Sequence, residues 1–365
     1  MENYKVNLGG ALIGDELEYV EDINIEVEGD KIIHIGKGFD EKGLNLSNFI
    51  AVPPLVNSHA HTADFTFPEI GIDKTIKELV GDPNSEKYRY FSLYRDQISD
   101  GIRSFLLSSK NVGVFVVVDF REQGIDGIRL AMRARVPEVK HILLGRLDTF
   151  IPDDLKELYK ISDGYGLPSV NSNSKDELIQ ISSVFRDKIR AVHISETKRQ
   201  YLKNDLEELL TYYKPTLVVH GTNLSRSDFS LLKEIPVVFC PRSNLWFSTG
   251  IPKIADAIEE GVKVLFGTDN GAWIDYNLWK DLELALLITR LQRPLSNFSK
   301  EILKGATVTA YKVFNLDYGI EEGKKFLINL LKKDEIVRSH DVYTAIVKRG
   351  SNLFYQSLGA TQNLK

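Results

Sequence analysis

From about residue 51 onward, short apolar runs rich in β-branched residues alternate with amphipathic stretches of helical periodicity. We distinguish eight such runs, and each is followed by a helix-like segment. The eight runs span residues 49–61, 112–120, 141–148, 159–166, 189–196, 216–222, 235–243 and 262–269. Eight strand–helix units in succession are typical of a (β/α)8 TIM barrel, and we predict this α/β fold for residues 51–314. A doubly wound sheet is the alternative, but no G-x-G-x-x-G motif follows any of the runs.

The two ends of the chain have a different pattern. Apolar and polar residues alternate through "INIEVEGDKIIHIG" (residues 23–36) on either side of a Gly-Asp pair, which indicates a β-hairpin. After about residue 314, the segments "KKFLINLL" and "DVYTAIVKRGSNLFY" are again strand-like. We therefore predict that residues 1–50 and 315–365 join in one small composite β-sandwich domain beside the barrel.

Composition limits the partners that the chain can bind. The formal net charge is −5, and no basic face is evident that could hold a nucleic-acid backbone. The first residues lack the basic stretch and apolar core of a signal peptide, and the most apolar run, "VGVFVVVDF", is too short to cross a bilayer. Cys240 is the only cysteine, so an internal disulfide is excluded. We expect a cytoplasmic protein that binds neither nucleic acid polymers nor membranes.

Four histidines and one aspartate stand at the carboxyl ends of predicted strands, where a barrel gathers its functional residues. His59 and His61 are two residues apart at the end of the first run, so both side chains point to the same face. His193 ends "IRAVH" in the fifth run, His220 ends "TLVVH" in the sixth, and Asp269 is the last residue of the eighth. Each residue alone has an ordinary structural explanation, but the five together predict a site for zinc or ferrous iron.

A carboxylate follows one of these histidines closely. Glu196 lies three residues after His193 in "HISET". Its structural explanation is that an acid at the start of the next helix complements the helix dipole. Its chemical explanation is proton transfer beside a metal ligand, which we favour. The histidines at 34, 141 and 340 lack a strand-end position, and we expect structural roles for them.

Several motifs together resemble those of a known enzyme superfamily. They are "PLVNSHAHT" at 54–62, "HISET" at 193–197, "VVHGTNL" at 218–224, "CPRSNLWFSTG" at 240–250 and "GVKVLFGTDNGAW" at 261–273. In this order they resemble the amidohydrolase superfamily, in the branch that contains cytosine and guanine deaminases and triazine chlorohydrolases. The resemblance covers nearly the whole chain and implies a metal-dependent barrel with a composite β-sandwich.

The resemblance also implies a role for each candidate residue. His59, His61, His193 and Asp269 would hold one divalent metal ion, for which we expect Zn²⁺, with Fe²⁺ as the alternative. Glu196 would protonate a ring nitrogen of the substrate, and Asp269 would orient the attacking water as well as bind the metal. His220 would hydrogen-bond that water or the developing alkoxide. Members with two metals carry a carboxylated lysine at the end of the fourth strand; Lys160 comes too early for this, so we expect one metal.

Substrate contacts are predicted from the remaining strand ends. The candidates are Arg121 and Glu122 after the second run, Arg146 after the third, Asn173 after the fourth and Trp273 after the eighth. An arginine at the mouth of a cavity suits a carboxylate or phosphate, although a solvated turn explains "DFREQG" equally well. Residues 67–91 form either a lid or an ordinary helix with its flanks.

The function that we expect is hydrolysis of a C–N bond other than a peptide bond. The first hypothesis is a hydrolytic deaminase acting on an amino-substituted heterocycle, such as a nucleobase or nucleoside. The alternatives are cleavage of an amide, displacement of another leaving group such as chloride, and a non-catalytic scaffold. The scaffold is disfavoured because relatives of that kind usually lose metal ligands, and none is missing here. We expect a small-molecule substrate and a homo-oligomer.

Overall fold

The computed structural model describes residues 3–80 and 84–359, whose strands form two separate sheets. Six strands drawn from both ends of the chain form the first sheet, in the order β15-β14-β4-β1-β2-β3. These strands are β1 (Asn3–Ile13), β2 (Glu18–Glu28), β3 (Lys31–Lys37), β4 (Leu44–Val52), β14 (Leu327–Lys332) and β15 (Phe354–Gly359). Strands β2 and β3 pair antiparallel across the Gly-Asp turn, so the predicted hairpin is confirmed.

The second sheet is parallel and supplies the barrel. Its order is β12-β11-β10-β9-β8-β7-β6-β5-β13. Its strands are β5 (Leu55–His61), β6 (Val114–Arg121), β7 (Lys140–Gly145), β8 (Gly164–Leu167), β9 (Ile189–Ile194), β10 (Leu217–His220), β11 (Val237–Phe239), β12 (Val264–Phe266) and β13 (Asp269–Asn270). The predicted (β/α)8 fold class is confirmed, because all eight predicted runs contribute to this one sheet.

The barrel closes through a break in its eighth strand. β12 pairs with β11, and after two residues the chain continues as β13, which pairs with β5. Gly267 stands in the break, where an added Cβ would lie 2.6 Å from the His59 carbonyl oxygen and 2.8 Å from its Cβ. Only glycine lets the two backbones approach this closely, so Gly267 sets the distance between the first and last strands.

Helices cover the outside of the barrel and link its strands. The first eight are α1 (Ile76–Val80), α2 (Glu86–Leu93), α3 (Ile98–Lys110), α4 (Gly124–Arg133), α5 (Pro152–Ile161), α6 (Lys175–Val184), α7 (Lys198–Tyr201) and α8 (Asp205–Glu208). The others are α9 (Arg226–Ser230), α10 (Pro241–Trp246), α11 (Ile254–Glu259), α12 (Leu278–Gln292), α13 (Ser299–Gly305), α14 (Val308–Val313), α15 (Lys333–Ile336) and α16 (Val342–Leu353). None of the helices in the described part of the chain is long and apolar enough to span a bilayer.

A pair of prolines separates the two sheets at the start of the barrel. β4 ends at Val52 and β5 begins at Leu55, so Pro53 and Pro54 form the connection. Proline has no N–H to donate to a strand ladder, which explains why one extended segment divides between two sheets here. The Tyr311 hydroxyl donates to the Pro54 carbonyl and fixes this corner to the barrel.

The carboxyl-terminal segment differs from the prediction. Residues 341–355 were expected to be strand-like, but α16 occupies most of them and only the last two residues belong to β15. Asp341 caps the helix by accepting from the Thr344 N–H at 2.6 Å. Gly350 lets α16 pack directly on Trp279 of α12, and this tertiary packing overrides the strand propensity of the segment. The domain limits drawn from the sequence stay a prediction, and residues 1–2 and 360–365 lie outside the described part.

Candidate active site

Five buried side chains meet at the carboxyl end of the barrel strands. His59 Nε2 lies 3.1 Å from Asp269 Oδ1, and His61 Nε2 lies 3.5 Å from the same oxygen. His61 Nε2 and His193 Nε2 are 3.4 Å apart. Ligand atoms of His59, His193, His220 and Asp269 all lie within 4.8 Å of one another. The strand-end positions therefore bring together all five residues that the sequence singles out as candidate ligands.

Two of these residues have an uncommon backbone conformation. His220 has φ 72° and Asp269 has φ 65°, both in the left-handed region that non-glycine residues seldom adopt. Such a conformation costs about 1–3 kcal/mol and persists only where the surroundings fix it. His220 is the last residue of β10, and Asp269 is the first residue of β13, directly after the break in the eighth strand.

The hydrogen bonds of Nδ1 in His61 and His193 indicate that Nε2 of both rings carries no proton. His193 Nδ1 lies 3.1 Å from the Leu167 carbonyl oxygen, and His61 Nδ1 lies 2.8 Å from Glu122 Oε1. A carbonyl or carboxylate oxygen only accepts, so Nδ1 carries the proton in both rings. Two bare Nε2 lone pairs then face each other across 3.4 Å. They repel unless a positive charge lies between them, and imidazoles with a carboxylate are a fitting donor set for a divalent cation.

Burial keeps the site in the protonation state that a metal needs. It lowers the pKa of His59 and His220, and it holds the pKa of His193 well below the usual range. For Asp269, burial acts in the opposite direction, but the His59 hydrogen bond and the other imidazoles hold its pKa well below normal. Neutral imidazoles and an ionised carboxylate therefore coexist at neutral pH.

Two residues of the "CPRSN" motif, Ser243 and Asn244, orient Asp269 and His220 through hydrogen bonds. Ser243 Oγ donates to Asp269 Oδ2 at 2.5 Å, which leaves Oδ1 facing the histidines. Asn244 Nδ2 lies 3.2 Å from His220 Nδ1. Donation by this amide leaves the ring proton of His220 on Nε2, where it faces the cavity. Sequence reasoning named neither residue, although the motif that contains them was the available signal.

A buried charge cluster supports His61 on its other side. Lys87 Nζ lies 2.6 Å from Glu122 Oε1, 2.9 Å from Asp64 Oδ2 and 3.5 Å from His61 Nδ1. Burial would raise the pKa of Glu122, but Lys87 and His61 hold it well below normal. Burial raises the pKa of Asp64 to about 6, against the opposing effect of Lys87. Lys87 was missed from the sequence because it comes from α2, outside the strand ends.

Glu196 lies beside the same cluster. Its Oε1 is 3.8 Å from His220 Nε2, and burial raises its pKa despite the opposing influence of His220. Asn223 Nδ2 donates to the Glu196 carbonyl at 2.7 Å and fixes the backbone that presents the side chain. A carboxyl group with a raised pKa in this position can give a proton to a bound molecule.

A cavity of about 480 Å³ opens onto these groups. Ligand sites usually measure ~300–1,000 Å³. Residues of several barrel loops and of α1 and α2 line it: His61, Ile76, Lys77, Val80, Lys87, Tyr88, Glu122, Arg146, Pro168, Ser169, Asn171, Ser172, His193, Glu196, Thr197, Arg199, Gln200, Lys203, His220, Asp269 and Asn270. The cavity therefore contains most of the candidate ligands together with Glu196.

The predicted substrate contacts divide into two groups. Glu122 and Arg146 line the cavity. Arg121, Asn173 and Trp273 do not. Arg121 is fully buried and donates to the Gly127 carbonyl and the Gln123 side chain. Asn173 lies 3.2 Å from Glu177 at the start of α6, and Trp273 Nε1 donates to the Ile70 carbonyl at 2.8 Å.

The segment suggested as a lid forms part of the cavity wall. Residues 67–91 contain α1 and most of α2, and these helices contribute Ile76, Lys77, Val80, Lys87 and Tyr88 to the lining. Residues 81–83 of this segment lie outside the described part of the chain. Whether the segment opens and closes stays a prediction.

The chain is similar to two known proteins in sequence and to a third in fold. The chain is 31% identical, over 93% of its length and 94% of the relative's, to an uncharacterized protein of Methanocaldococcus jannaschii. It is 27% identical to a 5′-deoxyadenosine deaminase of Methanothrix thermoacetophila, covering 83% of this chain and 80% of that one. Its fold is similar to the crystal structure of atrazine chlorohydrolase from Arthrobacter aurescens TC1 complexed with zinc, with a TM-score of 0.80, 18% identity and coverage of 94% and 91%.

The family model described as "Amidohydrolase family" matches residues 50–353. This range is most of the chain, and it contains all five residues of the cluster and Glu196. The chain therefore belongs to the amidohydrolase family, and the resemblance inferred from its motifs is confirmed.

Proposed function

We propose that this member of the amidohydrolase family is a metal-dependent hydrolytic deaminase of an amino-substituted heterocycle, such as a nucleobase or nucleoside. One juxtaposition carries the proposal: Glu196, a half-buried acid with a raised pKa, shares a cavity with a cluster of histidines and an aspartate suited to a divalent ion. The similarity to a relative named as a 5′-deoxyadenosine deaminase supports this choice of reaction.

The metal in this proposal is a single Zn²⁺ held by His59, His61, His193 and Asp269. The facing lone pairs of His61 and His193 support the need for a cation at this point. When bound, such an ion would supply Lewis acidity, which lowers the pKa of a water ligand to about 7. The zinc in the crystal structure of the chlorohydrolase, which has the same fold, supports zinc over iron.

The protein groups then have separate tasks. Asp269 Oδ1 accepts a hydrogen bond from the attacking water, because Oδ2 is already occupied by Ser243. Glu196 gives its proton to the ring nitrogen next to the reacting carbon, which makes that carbon more electrophilic. His220 donates from Nε2 to the oxygen on which charge develops. Water adds to the carbon, the C–N bond breaks, and the amino group leaves as ammonia with the protons supplied by water and Glu196.

We also propose, as finer points, that the protein works in the cytoplasm as a homo-oligomer. The buried free thiol of Cys240 is in keeping with a reducing compartment. Analytical ultracentrifugation of the purified protein tests the oligomeric state, and a single monomeric species at micromolar concentration would contradict it.

The experiment that tests the function is an ammonia-release screen of zinc-reconstituted protein with purine and pyrimidine bases, their nucleosides, pterins and triazines.

Glu196→Gln removes the proton donor at constant size, so we expect it to keep its zinc and to lower turnover by roughly 10²–10⁴-fold. Glu207→Gln, an exposed glutamate of α8, is the matched control and should keep wild-type turnover.

Two results would contradict the proposal. One is the release of chloride or another leaving group from these compounds without ammonia. The other is wild-type turnover in Glu196→Gln, which would remove the proton-donor role even if ammonia were formed.

A further inference from the structure

The charge of the cavity is opposite to that of the whole chain, which has a formal net charge of −5. Five cationic side chains line the cavity, against three carboxylates. The cations are Lys77, Lys87, Arg146, Arg199 and Lys203, and the carboxylates are Glu122, Glu196 and Asp269. The lining is therefore positive even before a divalent ion is added, and a cavity of one sign concentrates ligands of the other.

The inner cations are neutralised by protein groups. Lys87 lies between Glu122 and Asp64, at 2.6 Å and 2.9 Å. Arg146 lies 3.5 Å from Glu122 and donates to the Tyr88 hydroxyl. These two side chains need no ligand to balance their charge.

The outer cations differ from the inner ones. Lys77, Arg199 and Lys203 are exposed, and none forms an ion pair with a residue of the described part of the chain. Other cations close by are paired: Lys74 and Arg89 share Glu86, at 3.2 Å and 2.7 Å. Three positive charges that no described carboxylate pairs with therefore line the cavity at exposed positions.

One short segment links the reacting end of the cavity to this outer group. Glu196, Arg199 and Lys203 all line the cavity, and all three come from the eight residues that contain α7 and its flanks. Thr197 and Gln200 form a reciprocal capping box that fixes the start of α7. The loop that presents the proton donor at the inner end thus presents two cations at the outer end, and Lys77 faces the same space from α1.

We propose that the substrate carries an anionic group, a phosphate or a carboxylate, at the end remote from its reacting ring, and that Arg199, Lys203 and Lys77 bind it. Arginine offers a planar pair of N–H donors to two oxygens of such a group, and each lysine adds a point charge. The identity of the ring rests on the proposed function, whereas the anion site does not.

Matched ligand pairs test this proposal by binding. Isothermal titration calorimetry on the zinc-loaded Glu196→Gln protein compares two pairs, adenosine 5′-monophosphate with adenosine, and adenosine 5′-carboxylate with adenosine. We expect the anionic member of at least one pair to bind 10-fold or more tightly at low salt, with the advantage shrinking as ionic strength rises. The pair with the larger ratio identifies phosphate or carboxylate as the recognised group.

Charge-removal variants assign the effect to the named residues. Arg199→Gln/Lys203→Gln should abolish the advantage of the anionic ligand and leave binding of the neutral ligand unchanged. Lys198→Gln/Lys233→Gln removes two exposed charges that do not line the cavity and should preserve the advantage. Equal binding of both members in the parent protein, or an advantage that survives in the first variant, would overturn the proposal.

A probe without a ring separates this proposal from the proposed function. Inorganic phosphate is titrated into metal-free protein while the guanidinium NMR signal of Arg199 is followed, with Lys203→Gln as the comparison. A saturable shift that weakens at least 3-fold in Lys203→Gln supports the anion site even if no heterocycle is deaminated. No shift up to 50-fold the protein concentration at low salt, when the ligand pairs also show no difference, overturns it.

Discussion

At the residue scale, strand alternation decides which side chains reach the site. Phe120 faces the interior, with its ring centroid 4.3 Å from that of His59. Its neighbour Arg121 must then point outward, where it packs over Phe91 instead of lining the cavity. Asp119 also points outward and bonds Thr62 and His141, which agrees with the structural role expected for that histidine.

The ligand candidates could be predicted from the sequence because each ends an apolar run, and the barrel brings all strand ends together. The supporting contacts could not. The bonds from Ser243 to Asp269 and from Asn244 to His220 depend on how α10 is placed against two different strands. Lys87 comes from α2, and the strand–helix repeat of the sequence does not determine where that helix packs.

Removal of the Ser243 hydroxyl tests whether these supporting contacts matter. Ser243→Ala frees Asp269 to rotate, and the loss of such a contact behind a metal ligand typically lowers metal affinity about 10–100-fold. Competition with a zinc chelator measures the affinity. Ser58→Ala is the matched control, since the Ser58 hydroxyl is buried and forms no hydrogen bond with the described residues. An unchanged affinity in Ser243→Ala would contradict the orienting role.

At the element scale, the strand–helix repeat is enough to predict the barrel. The connection between the two sheets and the carboxyl-terminal segment lie outside this repeat, and tertiary packing determines their structure. The double proline was visible in the sequence, but its use as the corner between two sheets follows from the pairing of β4 and β5 with different partners. α16 was predicted as a strand because its β-branched and aromatic residues favour that state in isolation.

Lys87 tests how α2 is held on the barrel. Lys87→Met removes the cation between Asp64 and Glu122. Glu122 keeps its contacts with Arg121 and Arg146, but the buried Asp64 loses the one ion pair that it forms with the described residues, and we expect this to destabilise the fold by about 3–5 kcal/mol. Urea unfolding of the metal-free protein measures this change. Adding Asp64→Asn and Glu122→Gln should restore part of the stability. Lys233→Met, at an exposed position, is the control. A change below about 1 kcal/mol in Lys87→Met would contradict the role of this charge cluster.

At the scale of the whole molecule, the buried histidines make the stability of metal-free protein depend on pH. The folded state holds the pKa of His193 well below its ordinary value of 6.5 because the ring is buried. As the pH falls below 6.5, His193 binds a proton in the unfolded chain but not in the folded state. The free energy of unfolding therefore decreases below this pH, by up to about 1.4 kcal/mol per pH unit.

His193→Gln removes this group. The free energy of unfolding should therefore differ less in favour of the metal-free wild type over the variant as the pH goes from 7 to 5.5. Urea titrations at several pH values measure the difference. His340→Gln, which changes an exposed histidine, provides the comparison and should show no such trend. A difference that stays constant over this range would contradict the burial of a neutral His193.

One divalent ion is expected where these five side chains from distant parts of the chain meet, and metal analysis by mass spectrometry tests this most directly. After reconstitution with excess zinc and desalting, we expect one equivalent in the wild type and in His220→Ala, and almost none in His59→Ala or His193→Ala. A wild type that retains no metal, or a His59→Ala variant that still holds a full equivalent, would contradict the account.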